Sequence, residues 1–171
     1  MGSGVVMMGV YPPDFPTGEQ FPTFAPGEEY SVNGVIYRYA KFDNGTGNVA
    51  AAAGGAAYWK DKANGLVTSD KTDSQYGAAV PSGVAGIFIG VTTDGYFCWL
   101  ARKGSYTVSL ASGDSNGAVG NKIFAPASDV DLTLRSEADS SVSSSEIPAT
   151  EIGRQLAAGS GDTALVMLNI P

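Results

Sequence analysis

The residues able to do chemistry are few. The sequence has no histidine and a single cysteine, Cys98. Without imidazole, nucleophilic triads of the Ser-His-Asp or Cys-His type are excluded, and the commonest general base and metal ligand are missing. Cys98 sits inside the apolar run Tyr96–Arg102 (YFCWLAR), where a core thiol is expected rather than a reactive one. One cysteine makes no internal disulfide, and Cys/His zinc spacings cannot arise. There is no G-x-x-x-x-G-K-[ST] run and no G-x-G-x-x-G opening a helix. The glycines at Gly117 and Gly120 stand apart, and Asn121 and Lys122 after them read as a turn.

Carboxylates remain. A glycosidase needs two of them on either side of a sugar. Asp43, Asp94, Asp114, Asp129 and Asp131 all fall at expected turns or strand ends, where aspartate usually bonds nearby backbone. Asp129 and Asp131 share a strand face and make calcium conceivable, but the further ligands and the glycine of an EF-hand loop are absent. Asn44-Gly45-Thr46 matches a glycosylation sequon but reads as a turn. Trp59 and Trp99 are the candidates for a sugar-stacking platform. Trp99, between Cys98 and Leu100, is expected in the core. Trp59, before Lys60 and Asp61, is expected to be partly exposed. The expectation is a protein that is not an enzyme, with no catalytic residues, cofactor or metal.

The elements that would carry these residues are strands. The chain has 171 residues, enough for one domain plus an extension. Charged residues make up 16% and 23 residues are glycine, a composition poor for long surface helices and suited to short strands joined by tight turns. Strands are expected at Val35–Phe42 (VIYRYAKF), Ile87–Val91, Phe97–Arg102 and Leu165–Ile170, from period-2 or doubly apolar runs bounded by turn residues. Asn64-Gly65 separates Tyr58–Lys62 from Leu66–Ser69 as a hairpin, and Asp94-Gly95 does the same between Val84–Val91 and Tyr96–Arg102. Tyr106–Leu110 and Val130–Leu134 alternate as half-buried strands. Ala50–Ala57 is read as a packed loop or strand edge, Ser136–Ser145 as a loop, and Thr150–Leu156 fits helix or strand. The fold class expected is mainly β, a single barrel or sandwich over residues 28–171.

Residues 1–27 differ. Pro12, Pro13, Pro16, Pro22 and Pro26 block helix and central strand. Tyr11, Phe15, Phe21 and Phe24 lie between them, too many aromatics for a merely solvated tail. Two readings stand: a disordered leader, or an extended N-terminal arm whose Tyr11, Phe15, Phe21 and Phe24 anchor it on another subunit. Net charge is −7, which suits neither nucleic acid nor an anionic membrane as partner. No apolar run is long enough to span a bilayer, and Met1–Val10 lacks the pattern of a signal peptide, so synthesis in a reducing cytoplasm is expected.

Three stretches, Gly34–Trp59, Val84–Gly104 and Glu151–Ile170, together resemble the head decoration (cement) proteins of tailed bacteriophages. The matching residues are Gly86, Ile87, Gly90, Val91, Thr92, Gly95, Tyr96 and Gly104 in a glycine-rich hairpin, then Gly153, Leu156 and Asp162 before an apolar final strand. The Pro-rich arm is not part of that resemblance. The resemblance implies a mostly β virion structural protein, made in the bacterial host cytoplasm and bound to the outer surface of the capsid across capsid subunits. Its partners would be the major capsid protein and copies of itself, a trimer before a dimer, and it transfers no catalytic residues. The alternatives are another virion part, a tail or fibre protein, or a carbohydrate-binding β-module.

Overall fold

The computed structural model describes residues 12–14, 17–75, 83–110, 118–125, 134–137, 151–159 and 161–171. Tyr11, Phe15, Tyr76, Asp114, Asp129, Asp131 and most of the strand expected at Val130–Leu134 lie outside them. Among the described residues ten strands make one continuous sheet: β1 (Glu29–Val32), β2 (Val35–Phe42), β3 (Ala56–Asp61), β4 (Leu66–Thr68), β5 (Val84–Phe88), β6 (Phe97–Ser109), β7 (Lys122–Phe124), β8 (Arg135–Ser136), β9 (Glu151–Gln155) and β10 (Thr163–Asn169). The only helical pieces among the described residues are 3-10 turns at Pro12–Asp14 and Lys71–Asp73. The expected mainly-β class is what the chain adopts.

Five strands close on themselves. The order β2–β4–β3–β5–β6 returns to β2 through a β2–β6 pairing, with β2–β4 parallel and the other four pairings antiparallel. Closure removes the free edges that would otherwise template aggregation. Contacts across the ring identify the lumen. The rings of Phe42 (β2) and Phe88 (β5) meet edge to face at 5.5 Å although their strands are not neighbours. The even-numbered residues of β2 therefore point inward, where Ala40 and Phe42 pack with Ala57, Trp59, Val67 and Leu100. Small residues beside large ones let a narrow barrel fill without voids. Trp59 is 3% exposed in this core, not partly exposed as its charged neighbours suggested. Alternation on β3 sends Trp59 inward and Lys60 outward.

Of the odd-numbered residues of β2, Val35, Tyr37 and Tyr39 face outward yet are also buried, because another layer covers them, while Lys41 is exposed. This explains why Val35–Phe42 is apolar in both phases.

β6 carries the sheet out of the barrel into an outer part. Its thirteen residues form one strand, where two were expected. A register shift lies between the Ile36–Lys103 and Tyr37–Ala101 pairs, and nearby Gly104 takes φ +101. A Cβ on Gly104 would fall against the Gly34 carbonyl oxygen and within 2.9 Å of Val35 Cα. The irregularity reverses the alternation: Trp99 and Ala101 are buried before it, Val108 and Leu110 after it. The second half of β6 pairs with β10, followed by β9, β7 and β8. A parallel bridge between Leu110 and Leu134 brings the end of this sheet back to β6. Ile123, Leu134, Ile152, Val166 and Leu168 fill its inner side, in one apolar cluster with Tyr39 and Trp99 of the barrel wall.

Candidate binding surface

The arm is bound to its own domain from Glu19 onward. Glu19 and Phe97 exchange two backbone hydrogen bonds of 2.7 Å. Gly27 N–H donates to the Tyr39 carbonyl at 2.7 Å, and Tyr39 N–H donates to the Glu28 carbonyl at 2.8 Å. Between these ties Phe24 inserts its ring beside Tyr39 and Trp99, with centroids at 5.4 and 5.1 Å. Thr23 N–H donates to the Tyr39 hydroxyl at 3.3 Å. Burial pushes that hydroxyl up to about 12, against the opposing pull of the Thr23 bond. Phe24 is thus an anchor, as its type and proline neighbours suggested, but one that this chain uses on itself. It is 8% exposed and not available to another subunit. Phe21, three residues away, is 76% exposed. A large aromatic held out in water by a stretch fixed at both ends is preorganised for contact.

A second exposed apolar region lies on the outer face of β9 and β10. Leu165 and Met167 project outward from β10, and Leu156 and Val119 stand beside them. Grooves of about 510 and 500 Å³ flank the β10 ridge, one toward β9 and Val119, the other toward β6 and Gly54. Sequence reasoning read Ala164–Ile170 only as a closing strand. The signal was present in Leu165 and Met167, which are apolar in the phase opposite to Ala164, Val166 and Leu168.

Several of the described titratable residues tie the fold together. Lys60 Nζ lies 2.9 Å from both Asp43 Oδ1 and Asp73 Oδ2. Those bonds hold both carboxylates below their ordinary range, with help from the Gly45 N–H on Asp43 and from Thr46 on Asp73. Burial pushes Asp70 the other way, but Thr72 and the Gly47 N–H outweigh it and the net direction is down. Asp94 accepts the Asn44 N–H at 2.9 Å. Asp43 and Asp94 therefore tie loops together, as turn aspartates do. Among the described residues no cluster of three or more potential ligands is placed to hold a metal ion. Cys98 is buried, and desolvation pushes its thiol up to about 12. Trp99, like Trp59, is interior, so neither tryptophan offers a sugar platform.

No protein-family model and no curated protein matches the sequence. Among solved structures the chain is similar to the head fiber gp8.5 N base of bacteriophage phi29. The identity is 14%, the match covers 79% of this chain and 94% of that one, and the TM-score is 0.44. At that identity and score the likeness is one of chain path and says nothing of what this chain binds.

Proposed function

We propose that the chain is a structural component of a tailed-bacteriophage virion, a decoration or cement protein that binds the outer surface of the head and braces capsid subunits. The observation that carries this reading is Phe21, largely exposed on an arm that Glu19 and Phe24 lock to a closed barrel. An aromatic of this kind adds roughly 1.5–3 kcal/mol when a partner buries it. Tyr11 and Phe15, upstream on the same Pro-rich arm, would extend the contact. Summed over many copies, binding to the assembled shell and not to its free subunits stabilises the shell by mass action.

The resemblance to decoration proteins supports the same reading. Its three stretches fall on β2–β3, β5–β6 and β9–β10, the strands that build the barrel wall and the outer part of the sheet. Several of its glycines have steric roles here. A Cβ on Gly86 would lie 2.7 Å from Leu100 Cβ, and Gly95 and Gly104 take positive φ. The proposed partners are the major capsid protein and further copies of this chain.

The test is addition of purified protein to heads lacking it, followed by electron microscopy. Ordered density on the outer shell and a rise in the temperature at which heads rupture are expected. Heads that stay bare at saturating protein would refute the assignment.

A further inference from the structure

Asparagine followed by glycine is the step in a chain most prone to spontaneous loss of ammonia, because glycine leaves its own nitrogen unshielded by a side chain. The glycine nitrogen attacks the asparagine Cγ and gives up its proton, and the side-chain nitrogen leaves as ammonia. The cyclic imide then takes up one water. It opens at either carbonyl, to aspartate or to isoaspartate, whose main chain is longer by one carbon. The described residues hold three such steps, Asn33-Gly34, Asn44-Gly45 and Asn64-Gly65. Their local sequence is alike in this respect, but their surroundings differ.

Two of the steps are shut. The Gly45 N–H donates to Asp43 Oδ1 at 2.8 Å. Asn44 is held as well: its N–H donates to Asp94 Oδ1 at 2.9 Å, its side-chain amide donates to Asn48 Oδ1, and its carbonyl accepts the Val49 N–H at 2.9 Å. The Asn64 side-chain amide donates to Asp61 Oδ2 at 2.6 Å, and the Gly65 N–H donates to the Lys62 carbonyl at 3.3 Å. Both glycines are also boxed in. A Cβ on Gly45 would stand 2.5 Å from Asp70 Cβ, and one on Gly65 would stand 2.4 Å from Pro26 Cβ. Neither peptide can swing its nitrogen toward the side chain without moving a packed neighbour.

Asn33-Gly34 is open. Both residues are exposed, with φ +49 and +80, in the two-residue turn that joins β1 to β2. A Cβ on Gly34 would meet nothing within 4 Å. Among the described residues the Gly34 N–H has no hydrogen-bond acceptor. β1 is four residues long and, among the described strands, pairs only with β2, so opening this turn disturbs few bonds.

We propose that Asn33 is the site at which the folded chain deamidates, and that the fold shields Asn44 and Asn64. The isoaspartate product puts an extra carbon into a two-residue turn that has no slack. The turn is packed on its other side, where the Gly34 carbonyl lies against Gly104 at the bend of β6. The modification therefore acts on β1, the strand that directly follows the tethered arm. It goes beyond the capsid reading and holds whether or not the chain binds a head.

Incubation of the full folded chain at mildly alkaline pH, followed by peptide mapping in a mass spectrometer, reads each step separately. Fragmentation that separates aspartate from isoaspartate identifies the product. Asn33 is expected to convert at least about tenfold faster than Asn44 or Asn64, the ratio that one net hydrogen bond adds to the cost of opening. In urea, where the fold is gone, the three should convert at similar rates. Conversion of the folded chain led by Asn44 or Asn64 would overturn the proposal. So would equal rates at the three steps in the folded chain, conversion of Asn33 only after unfolding, or a lead for Asn33 that urea leaves undiminished.

Discussion

The guanidinium carbon of Arg38 lies 5.3 Å from the centre of the Trp59 indole. Arg38 belongs to β2 and Trp59 to β3, strands that are not neighbours in the barrel, so the contact spans the lumen. The same guanidinium reaches Glu29 at 3.0 Å and the Ala85 carbonyl at 3.3 Å. Burial lowers the Arg38 pKa first, and the nearby Arg102 lowers it further, while Glu29 opposes both. One cation thus closes an end of the barrel core by bonding to β1 and β5 and covering an aromatic face.

Replacing Arg38 by Met keeps the aliphatic stem and removes those bonds. Glu29 is partly exposed and retains Arg102, so it is not left stranded in a dry site. Arg38→Met is expected to cost about 1–3 kcal/mol in urea unfolding. Native fluorescence should also change, because Trp59 loses its cation. A variant with wild-type stability and an unchanged spectrum would show that the bridge is incidental.

Gly104 and Gly95 separate two reasons for a glycine. Both have positive φ, +101 and +79. Gly95 has open space where a Cβ would stand, while Gly104 faces the Gly34 backbone. Gly95→Ala should cost about 1 kcal/mol, from conformation alone. Gly104→Ala adds a clash that only backbone movement relieves, and should cost at least about 2 kcal/mol more. Equal losses in chemical denaturation would mean that β6 bends freely at this point.

The Lys60 corner sets a pH dependence with two limits. Asp43 and Asp73 have depressed folded pKa values, so their contribution is present above the ordinary carboxylate range near 4 and is lost as pH falls through the folded values. Lys60 is raised, so its contribution is complete below about 10.4 and is lost as pH rises through its folded value. The difference in Tm between wild type and Lys60→Met should be largest between these limits and shrink on both sides. A pH-independent difference would mean that the lysine acts only by packing.

Much of this fold was legible in the residues. Val35–Phe42 and Phe97–Arg102 are apolar in both phases, and both prove to be barrel strands buried on two sides. Asn64-Gly65 and Asp94-Gly95 turned the chain where expected. What stayed hidden depends on tertiary packing. A glycine inside a strand does not announce which backbone approaches it, so Gly104 fell between the expected strands Phe97–Arg102 and Tyr106–Leu110 and proves to be a bend within one longer strand. Trp59 could not be placed from Lys60 and Asp61, because alternation puts neighbours on opposite faces whatever their polarity. The arm shows the same limit: Phe21 and Phe24 are one residue type in one proline-rich context, and only the hollow beside Tyr39 and Trp99 tells them apart.

That difference gives the sharpest test of how the arm works. Phe24 is buried and contacts two rings of the domain's own core, so Phe24→Ala should open a cavity and cost about 3–5 kcal/mol of stability. Phe21 is 76% exposed, so Phe21→Ala should leave stability within about 0.5 kcal/mol. Attachment to heads should respond in the opposite order. Loss of the exposed ring removes a desolvated anchor and should weaken occupancy roughly tenfold or more. At temperatures where it remains folded, Phe24→Ala should still bind, because the two backbone bonds at Glu19 keep the arm on the barrel. Thermal unfolding and head-binding titrations of both variants read these orders directly. If Phe21→Ala decorates heads as well as wild type, the ring at position 21 is an idle surface residue, and the capsid contact belongs to the barrel or to the chain before it.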